Sequence, residues 1–262
     1  MGRIEEKLVE LKSKKKKALV FFLTAGFPAF DSTPGIAASL EQGGADIIEI
    51  GMPFSDPLAD GPAIQKSSDI AIKNGVTLAT TLDSVRSIRA KSGIPIVLMG
   101  YLNPILRYGE AEFFPEASKA GVDGIILPEL PFEEVPRFKS HIIGSCLSQI
   151  LLVTPTTSED RMRRIDDASS GFLYCVSTTG VTGSKHQSNI PGYLETVRKN
   201  ARKNPLLVGF GISTPEDAAT IARSADGVII GSALIRQITR NANSTDLTDW
   251  VRGFRTAIDS TR

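Results

Sequence analysis

A carboxylate stands at the end of an otherwise apolar strand pattern. Residues 46–50, Asp-Ile-Ile-Glu-Ile, predict a strand that carries Glu49 on the same face as Ile47. Burial would disfavour the charged carboxylate, so we expect the pKa of Glu49 to be raised. A carboxyl group that titrates near neutral pH can both give and take a proton, as general acid–base catalysis requires. The alternative is a structural glutamate paired with a buried cation, although no basic residue lies at a neighbouring predicted strand end.

The segment that follows, residues 51–62, contains three prolines and two aspartates. The prolines restrict the backbone and help to hold the carboxylates in place. Asp56 precedes a proline and is typical of a local turn. Asp60 has two interpretations: it is a catalytic carboxylate, or it lies near the cap of a helix that begins at Pro62.

Three glycine-containing turns follow the last three predicted strands. They are Gly180–Gly183, Gly209–Gly211 and Gly231–Ser232. Backbone N–H groups of such turns, together with a helix N-terminus, commonly bind phosphate after the late strands of a barrel. Ser232 begins a predicted helix, where its hydroxyl and amide can both donate. We therefore expect a phosphorylated ligand, although glycines also serve simply to permit tight turns.

Short β-branched runs alternate with stretches of helical spacing along the whole chain. The predicted strands are 18–24, 46–50, 95–100, 123–127, 147–153, 171–176, 205–209 and 226–230. Three of them begin alike, with an aspartate between a helix end and a strand buried on both faces. The pattern predicts an α/β fold, a single-domain (β/α)8 TIM barrel over residues 1–262. An extra N-terminal helix with Ile4, Leu8 and Leu11 on one face would cover the lower mouth of the barrel.

An open doubly wound sheet is the alternative architecture. It normally shows a Gly-x-Gly-x-x-Gly turn after the first strand, whereas residues 24–28 read Thr-Ala-Gly-Phe-Pro. In the barrel, Phe22, Tyr101 and Tyr174 lie at strand ends and would form the walls of a pocket, or simply belong to the core. The polar segment 177–188 is long enough to close over a ligand as a lid.

Composition narrows the possible partners. The chain has 30 Lys and Arg against 29 Asp and Glu, which gives a formal net charge of +1 and no bulk attraction for nucleic acid. The basic run Lys14–Lys17 is either a solvated helix end or a docking patch. Cys146 and Cys175 are predicted to be buried core residues in a reducing compartment. Apolar runs are too short for a membrane span, so we expect a cytoplasmic protein.

These motifs resemble the α subunit of tryptophan synthase over essentially the whole chain. The resemblance is carried by residues 23–28, 49–51, 53–62, 180–183 and 209–213. It implies a lyase that cleaves indole-3-glycerol phosphate into indole and glyceraldehyde 3-phosphate by a retro-aldol reaction. Glu49 would protonate C3 of the indole and help to remove the glycerol hydroxyl proton, and Asp60 would stabilise positive charge at the ring nitrogen. The other implied site residues are Phe22, Tyr101, Tyr174 and Thr182 for the substrate and Gly183, Gly211, Gly231 and Ser232 for the phosphate.

The resemblance also implies a partner. The family works with a β subunit that carries pyridoxal phosphate and receives indole through a tunnel, usually in an αββα assembly, so this chain would need no cofactor and no metal itself. Two positions depart from the family pattern. Thr178 stands where some members have Arg at the start of the lid, and Glu129 stands where many have Asp.

Other classes of protein remain as alternatives. An aldolase that forms a Schiff base needs a desolvated lysine, but Lys66, Lys73 and Lys185 are predicted to be solvated. A metal-dependent aldolase needs a cluster of ligands, which two scattered histidines do not supply. A barrel that serves chiefly as an allosteric activator of its partner fits the same motifs.

Overall fold

The computed structural model describes residues 1–177, 190–209, 211–240 and 244–261, and within them it contains eight parallel strands. The strands are β1 (Ala18–Thr24), β2 (Ile47–Gly51), β3 (Ile96–Met99), β4 (Gly124–Ile126), β5 (Ser148–Val153), β6 (Leu173–Val176), β7 (Leu206–Gly209) and β8 (Gly227–Ile230). Each strand pairs with its neighbour in chain order and β8 pairs with β1, so the sheet closes into a barrel. All eight predicted strands and the (β/α)8 architecture are confirmed, and the open sheet is excluded.

Helices cover the outer face of the barrel and its lower mouth. They are α1 (Arg3–Ser13), α2 (Ser32–Gln42), α3 (Pro62–Lys73), α4 (Leu78–Arg89), α5 (Leu102–Tyr108), α6 (Glu110–Ala120), α7 (Val135–Gly144), α8 (Glu159–Ala168), α9 (Ile190–Asn200), α10 (Pro215–Ala222), α11 (Ser232–Arg240) and α12 (Ser244–Asp259), with a 3-10 turn at Phe132–Glu134. No helix among the described residues has the length and apolar character that a bilayer crossing requires.

Strand alternation sorts the side chains into an inner and an outer core. In β1, Val20 and Phe22 face the barrel interior, whereas Phe21 packs outward against Trp250 and Phe254 of α12. Both faces are therefore buried, which explains why these strands read as continuous apolar runs. The same alternation sends Glu49, two residues after the inward-facing Ile47, into the interior.

The lower mouth of the barrel is closed by α1, as the sequence predicts. Ile4, Leu8 and Leu11 belong to the inner core, and Ile4 is fully buried. Gly124 and Gly171 make room for Ile4, because a Cβ at Gly124 would lie 2.9 Å from its Cδ1 atom and one at Gly171 3.3 Å from its Cγ2 atom.

Three aspartates secure the N-terminal ends of strands by the same arrangement. Asp46, Asp123 and Asp226 accept backbone N–H groups from the preceding strand, at Leu19, Ile96 and Leu206, with distances of 2.9, 2.8 and 2.9 Å. Each also pairs with at least one arginine, as Arg255 does with Asp46 and Arg89 with Asp123. The repeated strand starts therefore have a common structural role.

One prediction about the cysteines is wrong. Cys175 is buried in β6, but Cys146 is exposed. Its φ of 57° places it just past the end of α7, where Cys146 N–H bonds to Ile143 O and Leu147 N–H bonds to Ile142 O. The apolar run around Cys146 thus spans a helix end, and the residue at the turn faces solvent.

We predict that Ile4→Ala lowers the free energy of unfolding by about 2–5 kcal/mol, because it leaves a cavity at the barrel floor. Urea unfolding of the full chain measures the change. Val9→Ala, on the exposed side of the same helix, is the matched control and should change stability by less than about 0.5 kcal/mol. Equal effects of the two substitutions would contradict the account of α1 as a cover for the barrel.

Candidate active site

Glu49 lies on the inner face of β2, in register with Phe22 of β1 and Val97 of β3. Its side chain is 1% exposed, and neither carboxyl oxygen has a hydrogen-bond partner among the described residues. Burial, and secondly the negative charge of Asp60, raise the pKa of Glu49 from about 4.5 to about 8. A structural ion pair is thus excluded for the described part of the chain, and Glu49 is protonated at neutral pH.

Asp60 lies in the loop between β2 and α3, at the C-terminal end of the barrel. The helix begins at Pro62, as the sequence predicts, and Gly61 is its N-cap. Burial raises the pKa of the half-buried Asp60 to about 6, the hydroxyl of Tyr101 lowers it, and the charge of Glu129 raises it further. Asp60 is therefore mostly ionised at pH 7, while Glu49 is mostly neutral. Two carboxyl groups with separated pKa values are the pattern of an acid and a base in one site.

The loop that carries Asp60 is held at both of its ends. Ser68 of α3, which is buried, accepts a hydrogen bond from Phe54 N–H at 2.8 Å and donates one to Phe54 O at 2.9 Å. The hydroxyl of Tyr101 accepts one from Ala59 N–H at 3.0 Å, and the Tyr101 and Phe54 rings lie 5.1 Å apart. These contacts fix the backbone on both sides of Asp56, which is exposed.

Ser68 is a site residue that the sequence pattern does not single out. The available signal is a pair of adjacent serines on the side of α3 whose other buried residue is Ala71. A hydroxyl group on a buried helix face needs a partner, and here that partner is the backbone of the neighbouring loop.

Aromatic side chains lie close to Glu49 and Asp60. Phe22, Asp60 and Tyr101 line one cavity, together with Met99 and Pro128. Tyr174 is buried, and the charges of Glu49 and Asp60 both act on its hydroxyl. The structure therefore brings together the two carboxyl residues and the three aromatic residues that the sequence singled out.

Two glycines make room for these rings. A Cβ at Gly51 would lie 2.4 Å from Cζ of Phe22, and one at Gly209 would lie 2.1 Å from the hydroxyl oxygen of Tyr174. Side chains at either position would displace a pocket wall.

The turns that follow β7 and β8 lie at the same, C-terminal end of the barrel. Gly211 has a φ of 76°, a conformation that favours glycine. Gly231 follows β8, and a Cβ there would lie 3.6 Å from Cβ of Phe22, so this turn borders the aromatic pocket. Ser232 is the first residue of α11 and is partly exposed. Thr182 and Gly183 lie outside the described residues, as do Thr178 and the rest of the predicted lid after Ser177.

Glu129 lies in the loop after β4, at the same end of the barrel. Its carboxylate accepts a hydrogen bond from Leu102 N–H, next to Tyr101. Lys66 and Lys73 are exposed, as predicted, and Lys185 lies outside the described residues.

A closed (β/α)8 barrel with a neutral buried carboxyl group and an ionised carboxylate at its C-terminal end defines an acid–base enzyme of the barrel class. The family model for the tryptophan synthase alpha chain matches residues 8–252. The chain belongs to the tryptophan synthase alpha chain family, whose members are lyases that cleave indole-3-glycerol phosphate in tryptophan biosynthesis.

Individual relatives agree with this membership. The chain is 49% identical to the tryptophan synthase alpha chain of Geotalea daltonii over 90% of each chain, and 47% identical to that of Geobacter sulfurreducens over 92% of this chain and 91% of the relative. A crystal structure of tryptophan synthase subunit alpha from Legionella pneumophila aligns with a TM-score of 0.90 at 38% identity, covering 99% of both chains.

We predict that Glu49→Gln changes the pH dependence of stability. The folded pKa of about 8 lies above the unfolded value of about 4.5, so the neutral carboxyl stabilises the fold at low pH and that contribution is lost as pH rises through 8. Relative to Glu49→Gln, the wild type should lose roughly 2–5 kcal/mol between pH 5 and 9. Urea unfolding across this range measures it. A difference between the wild type and Glu49→Gln that stays constant from pH 5 to pH 9 would contradict the burial argument.

Proposed function

We propose that this chain cleaves indole-3-glycerol phosphate to indole and glyceraldehyde 3-phosphate with Glu49 as the proton carrier and Asp60 as the electrostatic partner. The observation that supports the assignment most is the pair of pKa values, about 8 for Glu49 and about 6 for Asp60, at one end of a closed barrel. At pH 7 this pair presents one proton donor and one fixed negative charge.

The protons balance over one cycle. Neutral Glu49 gives its proton to C3 of the indole ring, and positive charge develops at the ring nitrogen. The resulting Glu49 carboxylate takes the proton of the glycerol hydroxyl. The carbon–carbon bond then breaks, its electron pair returns to the ring, and the hydroxyl carbon becomes the aldehyde of glyceraldehyde 3-phosphate. Glu49 ends protonated, ready for the next substrate.

Asp60 acts in this scheme without accepting a proton. Its carboxylate stabilises the charge at the ring nitrogen, and the Tyr101 hydroxyl and the Ala59 backbone keep it in place. The side chains of Phe22, Tyr101 and Tyr174 form the indole pocket. Gly211, Gly231 and Ser232 bind the phosphate through N–H and hydroxyl donors. Thr182 and Gly183 complete the substrate and phosphate sites by family resemblance.

The assembly follows from family membership, which implies a β subunit. We propose an α2β2 heterotetramer in the cytoplasm, with pyridoxal phosphate in the β subunit, no cofactor or metal in this chain, and residues 1–262 as one domain. Glu129 and the loop around Asp56 lie at the barrel end where such a partner would receive indole.

We predict that Glu49→Gln lowers indole release by several orders of magnitude, because general acid–base catalysis contributes ~10²–10⁴-fold per group and Glu49 acts twice. The assay uses indole-3-glycerol phosphate with and without the β subunit. Affinity for glycerol 3-phosphate should persist, and exposed Glu6→Gln is the matched control. The proposal would be contradicted if Glu49→Gln released indole as fast as the wild type, or if the wild type released no indole even with the β subunit. A wild type without activity would favour a purely activating role.

The two pKa values also predict a bell-shaped pH profile. The kcat/KM of the wild type should fall below about pH 6, where Asp60 is protonated, and above about pH 8, where Glu49 is ionised. In the pH profile of Asp60→Asn, the acid limb should be absent and the alkaline limb should lie at lower pH. The alkaline limb moves because the charge of Asp60 helps to raise the pKa of Glu49. An alkaline limb that stays in place would show that the two groups do not interact.

A further inference from the structure

A groove on the barrel floor, opposite the catalytic end, is lined by seven basic residues that the proposed reaction does not use. One side is the end of α1, with Lys12 and Lys15–Lys17, and the other is the end of α9, with Arg198, Arg202 and Lys203. We call this the basic groove. Asp226 is its one acidic lining residue among the described positions. The basic run that begins at Lys14 thus meets a second cationic segment nearly 190 residues further along the chain.

The charge in the basic groove is out of proportion to the rest of the molecule. Its lining has an excess of six positive charges, whereas the whole chain has a formal charge of +1. Helix C-termini attract cations, but each end supplies only about half a negative charge, so α1 and α9 together account for about one of the six. Clustered like charges destabilise a fold unless a counter-charge is bound.

Several of these cations have no protein partner to neutralise them. Lys16 pairs with Asp259 at 3.2 Å and Arg198 with Asp226 at 3.1 Å, and Lys17 donates to Ala225 O. In the described part of the chain, Lys12, Lys15 and Arg202 form no ion pair. These three side chains are exposed and line the basic groove.

Lys15 occupies a backbone position that favours glycine. Lys16 N–H bonds to Leu11 O at 2.8 Å and Lys15 N–H to Lys12 O at 3.0 Å, which is the Schellman ending of a helix, and Lys15 has a φ of 53°. The corresponding turn residues after α2, α3 and α6 are Gly44, Gly75 and Gly121. A lysine at this place is conformationally costly, and its side chain lines the basic groove.

We propose that the basic groove binds a small polyphosphorylated anion. Its volume of about 510 Å³ suits a small ligand. Lysine ammonium groups act as point charges, and no aromatic side chain among the described residues lines the groove for a base to stack on, so the recognised group is the polyphosphate itself.

The direct test is calorimetric titration of the full chain with inorganic tripolyphosphate, with glycerol 3-phosphate present to occupy the catalytic end. We expect one site per chain that weakens steeply as salt is raised. The variant Lys12→Gln/Lys15→Gln/Arg202→Gln should bind at least about tenfold more weakly. The matched control, Lys91→Gln/Lys119→Gln/Lys139→Gln, removes the same charge from exposed positions elsewhere and should stay within about twofold. Indole release should be unchanged in both variants.

Three outcomes would overturn the proposal. They are equal weakening in the two triple variants, no saturable binding of tripolyphosphate, and tighter binding of a duplex oligonucleotide than of tripolyphosphate.

A second variant separates the role of Lys15 in ligand binding from the effect of its backbone conformation on stability. Lys15→Gly relieves the left-handed conformation, so it should raise the midpoint of thermal unfolding while weakening tripolyphosphate binding severalfold. A gain in stability with unchanged binding would assign Lys15 to the helix end alone.

Discussion

The dehydration of one carboxyl group inside a closed barrel is the constraint on which the site depends. Glu49 has no hydrogen-bond partner among the described residues and no cation beside it, so its charged form is disfavoured and its proton is retained at neutral pH. Such an arrangement is costly at high pH, and it depends on the burial of Glu49 within the barrel. Burial in the barrel thus makes Glu49 a proton donor at neutral pH, whereas an exposed glutamate would be ionised.

The acidic residues at the two ends of the barrel differ in their hydrogen-bond and ion-pair partners. At the floor, Asp46, Asp123 and Asp226 accept backbone N–H groups and pair with arginines, so each carboxylate has both hydrogen-bond and ion-pair partners. At the catalytic end, Glu49 is left unsatisfied and Asp60 is held by a loop rather than by a cation. Stability is therefore concentrated at one end, and reactivity at the other.

The sequence predicts the barrel well because its strands are buried on both faces and are bounded by glycines and helix ends. It also identifies Glu49, since a carboxylate in an apolar strand is visible without coordinates. The clamp of Ser68 on Phe54 and the bond from Ala59 to Tyr101 were not predicted, because they depend on how a loop folds back onto two other elements. The prediction that Cys146 is buried is wrong because an apolar run does not reveal the turn inside it. The basic run at Lys14–Lys17 is compatible with a helix end or a docking patch, and only the fold shows that α9 brings a second set of cations to it.

The central claim is that Glu49 is neutral in the ligand-free protein at pH 7. Difference infrared spectroscopy of the wild type against Glu49→Gln, recorded from pH 5 to pH 10, observes the carbonyl stretch of the protonated acid directly. The account predicts a protonated-acid band, absent from the variant, that disappears with a midpoint near pH 8. A band that is already lost at pH 6 would mean that the carboxylate is solvated or paired, and would contradict the account.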